Sequence, residues 1–217
     1  ATVNYCRDKG FNVVSISPFN EPDYTAWNQG PMSDFKEIAR LMREDEFFDS
    51  IRISGGNTLN CDEALKWYNG LSPYLDEGNT HQLAGSFDSY ANFFETVRAN
   101  GHHGTADELH NVMEAIVGVE YGMQTGIWWG YDGRARGQFC QATFGERLAY
   151  GEDRGHWTAA SIYRMPDGRI QLFGGTSERQ ANNSSYRIVS QDKVVYFDGH
   201  GPMNEYIMNL PGGTGYQ

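Results

Sequence analysis

For about its first 130 residues this chain alternates short apolar runs with amphipathic stretches, and that alternation restricts its fold more than any other feature. A strand is expected over 11–19. A helix capped by Ser33 or Asp34 then runs to Glu46, with Phe35, Ile38, Leu41 and Met42 on one face. Strand 50–54 leads to a short helix opened by Asp62 and carrying Leu65 and Tyr68. Strand 81–85 precedes a helix capped by Ser86 or Asp88, with Tyr90, Phe93, Phe94 and Val97 inward and Gly101 as its stop. Strand 102–107, a helix over 111–121 and a last strand over 125–129 complete the series. Residues 1–9 read as the end of a helix stopped by Gly10. Repeated strand-helix order implies parallel strands joined by right-handed crossovers. An open doubly wound sheet is the other solution, but no Gly-rich phosphate loop follows the first strand, so nucleotide binding lacks support.

After Tyr131 the texture changes. Residues 132–155 read as a Gly- and Arg-rich connection. Alternating strands follow at 158–164, 169–173, 186–190 and 193–197, with a hairpin signal in Pro166-Asp167-Gly168. The expected division is 1–135 for the α/β part and 136–217 for a linker and an antiparallel β-domain.

Composition narrows the function. The net charge of -11 and the absence of a basic patch argue against nucleic acid or an anionic membrane as partner, while a neutral polysaccharide would not be repelled. No apolar run reaches the ~20 residues of a membrane span. No secretory leader is read at the N-terminus, as expected for a sequence that starts inside a domain. Cys6, Cys61 and Cys140 are widely spaced and form no C-x-x-C pair, so neither a zinc finger nor a redox motif is expected. His102, His103, Asp107 and His110 crowd together but do not match H-E-x-x-H, and no metal or cofactor is expected.

The first strand ends in Asn20-Glu21-Pro22. It delivers a carboxylic acid beside a carboxamide, and proline stops the strand from continuing. Such an acid at the rim of a sheet or barrel suits proton donation to a sugar leaving group. The run Val13-Val14-Ser15-Ile16-Ser17-Pro18-Phe19-Asn20-Glu21-Pro22 resembles strand four of the clan A glycoside hydrolases. It looks most like the family 30 branch, whose members cut glucosides, xylans or galactans. The resemblance implies a partial (β/α)8 TIM barrel, about strands four to eight, followed by an antiparallel β-sandwich segment. A whole barrel typically needs ~250 residues, so the missing N-terminal part of the barrel is expected to be required.

What the resemblance implies for the site is specific. Glu21 is the acid/base at the end of strand four, and Glu108, at the end of strand seven, is the nucleophile. Trp128 and Trp129, at the end of strand eight, offer an aromatic floor for a sugar, although alternation along a strand turns only one of them toward it. Asn20 bonds the hydroxyl beside the anomeric carbon. The reaction is retaining, on a polysaccharide or oligosaccharide substrate, and such enzymes work in extracellular or periplasmic space.

The residues leave further alternatives open. Asn57 and Asn60 suit sugar hydroxyls or turns. His81, His102 or His103 suits a sugar contact or a partner for a carboxylate. Asp107 rivals Glu108 as nucleophile, ahead of Glu114 and Glu120, which lie within a helix. A non-catalytic carbohydrate-binding protein on the same fold is the alternative function, separable by pairing a glycan-binding assay with a hydrolysis assay.

Overall fold

The structure is a computed structural model that describes residues 1–130, 133–177, 181–191, 195–197 and 200–212. It divides into two compact units, residues 1–109 with 118–129 and residues 110–117 with 130–217.

The first unit opens with α1 (Thr2–Asp8). It then holds β1 (Ser15–Ile16), α2 (Met32–Glu44), β2 (Arg52–Asn60), α3 (Cys61–Leu71), β3 (Glu77–Ala84), α4 (Phe87–Ala99), β4 (His103–Leu109) and β5 (Thr125–Trp128). The unit boundary passes through α5 (Val112–Tyr121). Among the described residues the five strands lie in chain order and every neighbouring pair is parallel. This is α/β architecture, a curled half-barrel of parallel strands with a helix in each crossover.

Packing on one face of this sheet fixes what the other face carries. A side chain at Gly78 would run into Val97, Phe93 and Tyr68, so α3 and α4 lie directly on β3. Tyr68, Phe93, Phe94 and Val97 are fully buried there. Each such side chain contributes roughly 1.5–3 kcal/mol through burial. Edge-on aromatic contacts between Tyr68 and Phe93 and between Phe93 and Phe94 add specificity. By alternation Glu77, Asn79 and His81 point away from those helices, as do His103, Thr105 and Asp107 on β4.

The second unit contains α6 (Arg134–Ala142) and the antiparallel sheet β6 (Glu146–Asp153), β7 (Thr158–Arg164) and β8 (Ile170–Thr176). Phe139 of α6 packs on Tyr163 and Phe173 at centroid distances of 5.8 and 5.4 Å. Two antiparallel pairs follow, β9 (Ser184–Val189) with β12 (Glu205–Leu210), and β10 (Val195–Phe197) with β11 (His200–Met203). A side chain at Gly174 on β8 would strike Met208 and Leu210, so the β9–β12 ribbon packs closely over this part of the sheet.

Several boundaries differ from expectation. Among the described residues the run over 11–19 pairs only at Ser15–Ile16, with β2, and Pro18 has no N–H to extend the ladder. Strand β2 continues to Asn60, well past 54: Gly55 and Gly56 do not end it but fit under Leu75 and against the Asn79 carbonyl, and Gly56 takes φ +87°. Helix α2 starts at Met32, with Pro31 at its cap, rather than behind Ser33 or Asp34. Residues 132–155 are not a connection, since α6 and β6 lie within them. That strand has too little apolar alternation to be seen alone, and it forms by pairing with β7. Strands β11 and β12 were not expected. Of the strand expected over 193–197, Lys193 and Val194 lie outside the described residues, as do Tyr131 and Asp132 at the change of texture.

Candidate active site

The site lies wholly within the first unit, toward the C-terminal ends of its parallel strands. Glu21 follows β1 and is buried. Its backbone is in the left-handed region at φ +50°, which costs a non-glycine residue on the order of 1 kcal/mol. Two hydrogen bonds hold it there: its N–H donates to the Asn57 carbonyl at 2.8 Å, and its carbonyl accepts from the Tyr24 N–H at 3.0 Å. The Gln29 side-chain amide also donates to the Asn20 carbonyl. Just upstream, Phe19 meets Phe35 of α2, which in turn meets Trp67 of α3. This aromatic chain fixes the approach to Glu21 from behind.

Asn57 is the second residue in the site with a positive φ, at +44°, where the β2–β3 register shifts. Such a bulge re-aims side chains. The Asn57 amide nitrogen lies 2.9 Å from Ser17 Oγ, 3.0 Å from the Phe19 carbonyl and 3.2 Å from Asp107 Oδ2. It therefore ties the end of β1 to the end of β4, and only 2% of the residue is exposed.

A second irregularity lies between Ala106 and Leu109 on β4. It allows Asp107 and Glu108, adjacent in sequence, to approach the same histidine. His81 of β3 is completely buried. Its Nδ1 is 3.1 Å from Glu21 Oε1 and 3.8 Å from Glu108 Oε2, and its Nε2 is 2.8 Å from Asp107 Oδ1. One oxygen of Glu21, one of Glu108 and a ring nitrogen of His81 all lie within 4.8 Å of one another. Three such donors are close enough to bridge a cation, but His81 already faces Glu21 at hydrogen-bond distance, and an acidic grouping alone does not mark an ion site.

The charges shape one another. Burial acts most strongly on His81 and disfavours its cation, but Asp107, Glu108 and Glu21 outweigh it and raise the pKa. Burial acts first on Asp107 as well, yet the bonds to His81 and Asn79 leave its carboxyl below the usual range. Glu108 is pushed up by burial and by the negative charges of Glu21 and Asp107, against the opposing pull of His81.

The remaining expected residues are distributed as follows. Asn20 is half-buried beside Glu21. Trp128 is half-buried on β5, while Trp129, just past the strand, is 60% exposed and donates its backbone N–H to Leu109. Alternation from Thr125, which meets His103 on the inner face, turns Trp128 to the opposite face. Asn60 caps α3 by accepting the Asp62 N–H. His102 faces Tyr68 and His103 faces Thr125, so the histidine-rich stretch does not converge. His81 is a partner for carboxylates, as one of its two sequence readings had it, and the carboxylates are those of Glu21 and Asp107. The bracing by Gln29 and Asn79 was not read from the sequence, because it depends on how the loop after Glu21 folds back and on strand register.

No protein family matches the chain in sequence, and no curated protein matches it. Among solved structures, an endo-β1,6-glucanase aligns with 97% of this chain and 58% of its own length, at 12% identity and a TM-score of 0.49. The chain thus spans a little over half the length of that structure.

Proposed function

We propose that this chain carries the catalytic pair of a retaining β-glycosidase acting on a polysaccharide or oligosaccharide. The observation that supports this most is the approach of a Glu21 oxygen to within 4.8 Å of a Glu108 oxygen, from the ends of two different strands. Retaining enzymes hold their two carboxyl groups about 5–5.5 Å apart, whereas inverting ones leave ~6.5–9.5 Å for a water. The likeness of the Asn20-Glu21-Pro22 strand to clan A enzymes points the same way. A purely binding protein has no need of two buried or half-buried acids within 4.8 Å of one another.

In this reading the Glu108 carboxylate attacks the anomeric carbon. A carbon–oxygen ester bond forms as the glycosidic bond breaks, and Glu21 gives its proton to the departing oxygen. Glu21 then takes a proton from water as the water oxygen attacks the same carbon, which releases the sugar and restores the Glu108 carboxylate. In the same reading Asn20 bonds the hydroxyl beside the reacting carbon. Trp129, the exposed member of the tryptophan pair, supplies an aromatic face. A polymeric glycan substrate places this work in extracellular or periplasmic space.

The test is Glu108→Ala in the full-length protein. Hydrolysis of an aryl β-glycoside should fall by on the order of 10⁴-fold or more. Added azide should restore turnover and release a glycosyl azide of inverted configuration. Activity unchanged in that variant would remove Glu108 from the mechanism. Glycan binding by the unmodified protein without any hydrolysis would favour the binding-protein alternative.

A further inference from the structure

We propose that Asp107, acting through His81, is the positioning group that holds a cation against Glu21 and so supports it as proton acceptor in the second half of the reaction. This rests on the glycosidase reading above and assigns a task to two residues which that reading leaves idle.

The geometry carries the argument. His81 has no exposed surface, and both of its ring nitrogens face carboxylates: Nε2 meets Asp107 at 2.8 Å and Nδ1 meets Glu21 at 3.1 Å. A neutral imidazole can donate from only one nitrogen, whereas an imidazolium donates from both. The titratable groups facing the ring are Asp107 and Glu108 from β4 and Glu21 from the segment after β1, all acidic. Asp107 has donors of its own: Asn57 Nδ2 lies 3.2 Å from its Oδ2, and Asn79 bonds it as well. Hydrogen bonds accepted by a carboxylate favour its ionised form. Asp107 is thus a fixed negative charge, and His81 beside it is held as a cation. The upward pKa shift of His81 agrees with this.

The cation matters differently in the two halves. Before glycosylation, Glu21 supplies the proton that the departing oxygen takes. His81 then donates Nδ1–H to Oε1, which leaves Oε2 to carry the acidic proton. In the glycosyl-enzyme, Glu108 is an uncharged ester and its field is gone. Glu21 is now a carboxylate, and the His81 cation at 3.1 Å favours that form. The His81 cation is thus the charged neighbour that remains beside Glu21 when the reaction needs a base. Asp107 acts only by keeping His81 charged and takes no part in the bond changes.

Asp107→Asn in the full-length protein tests this, because asparagine keeps an oxygen for His81 Nε2 but loses the charge. Release of the glycosyl-enzyme should slow by about tenfold or more. An aryl glycoside with a good leaving group should then give a pre-steady-state burst, with kcat lowered more than the burst rate. Absence of a burst, with kcat and the burst rate lowered alike, would overturn the proposal. If the variant fails to fold, nitrogen-15 shifts of the His81 ring in the unmodified protein decide instead: both nitrogens protonated at neutral pH supports the proposal, and a neutral single tautomer overturns it. An active, Glu108-dependent enzyme that is indifferent to Asp107→Asn sinks this inference alone, whereas a wild type without glycosidase activity sinks the reading beneath it.

Discussion

His81 and His103 occupy neighbouring strands of one sheet and point to the same face, yet they are driven in opposite directions. His103 stands toward the N-terminal ends of the strands, where burial and the Arg52 cation lower its pKa and Glu77 only partly opposes them. Each acid near it has a base: Arg52 pairs with Glu77 at 2.9 Å, and Arg43 pairs with Asp76. Toward the other end, three carboxylates converge on His81 alone. Balanced charge at one end is what a scaffold needs. Unbalanced charge at the other stores altered proton affinities, which is what acid/base chemistry needs. Backbone geometry divides the same way, for the positive φ values of Glu21 and Asn57 both fall at the unbalanced end.

The sharpest way to break this contrast is a pair of matched amide substitutions. Glu21→Gln should cut hydrolysis of natural glycan by on the order of 10²–10⁴-fold, with little change in denaturant midpoint. It should spare substrates whose leaving groups need no proton. Glu77→Gln should do the reverse, leaving kcat nearly intact and lowering urea stability by about 2 kcal/mol, because Arg52 then faces no counter-charge and is itself only partly screened by solvent. If both variants lose activity alike, the two ends are not functionally distinct.

A smaller effect is expected in the pH profile. The nucleophile must be ionised, and Glu108 is held above its ordinary value of 4.5. Activity should therefore be lost as pH falls through that raised value, so the acid limb of kcat/KM should lie above the usual range for a glutamate. An acid limb at or below 4.5 would contradict this placement of Glu108. The smallest effect belongs to the second unit. Arg187 and Glu205 pair at 2.6 Å across β9 and β12, but both side chains are largely in solvent. Arg187→Ala should leave the denaturant midpoint unchanged, as expected of a screened surface pair. A measurable loss there would show that ion pairs in the β-region count for more than their exposure suggests.

Helix α4 was legible in the sequence in detail. Its Ser86 cap accepts the Ser89 N–H, and Tyr90, Phe93, Phe94 and Val97 all point inward, because a helix states its buried face within a dozen residues. Strand β1 was much less legible, since a strand's length depends on how far its partner runs beside it. Strand β6 was invisible for the same reason: its residues are mostly polar, and β7 supplies the reason to extend.

The sequence by itself determined the order of strands and helices, the parallel connections that order demands, and the placing of acids at strand ends. Those are local properties of periodicity, capping and turn chemistry. Only the tertiary structure decided that Glu21 and Glu108 approach one histidine, that Asp107 is tied to that histidine, and that Asn57 is spent on bracing the backbone. These depend on register and on two bulges, where shifting one residue changes which side chains meet.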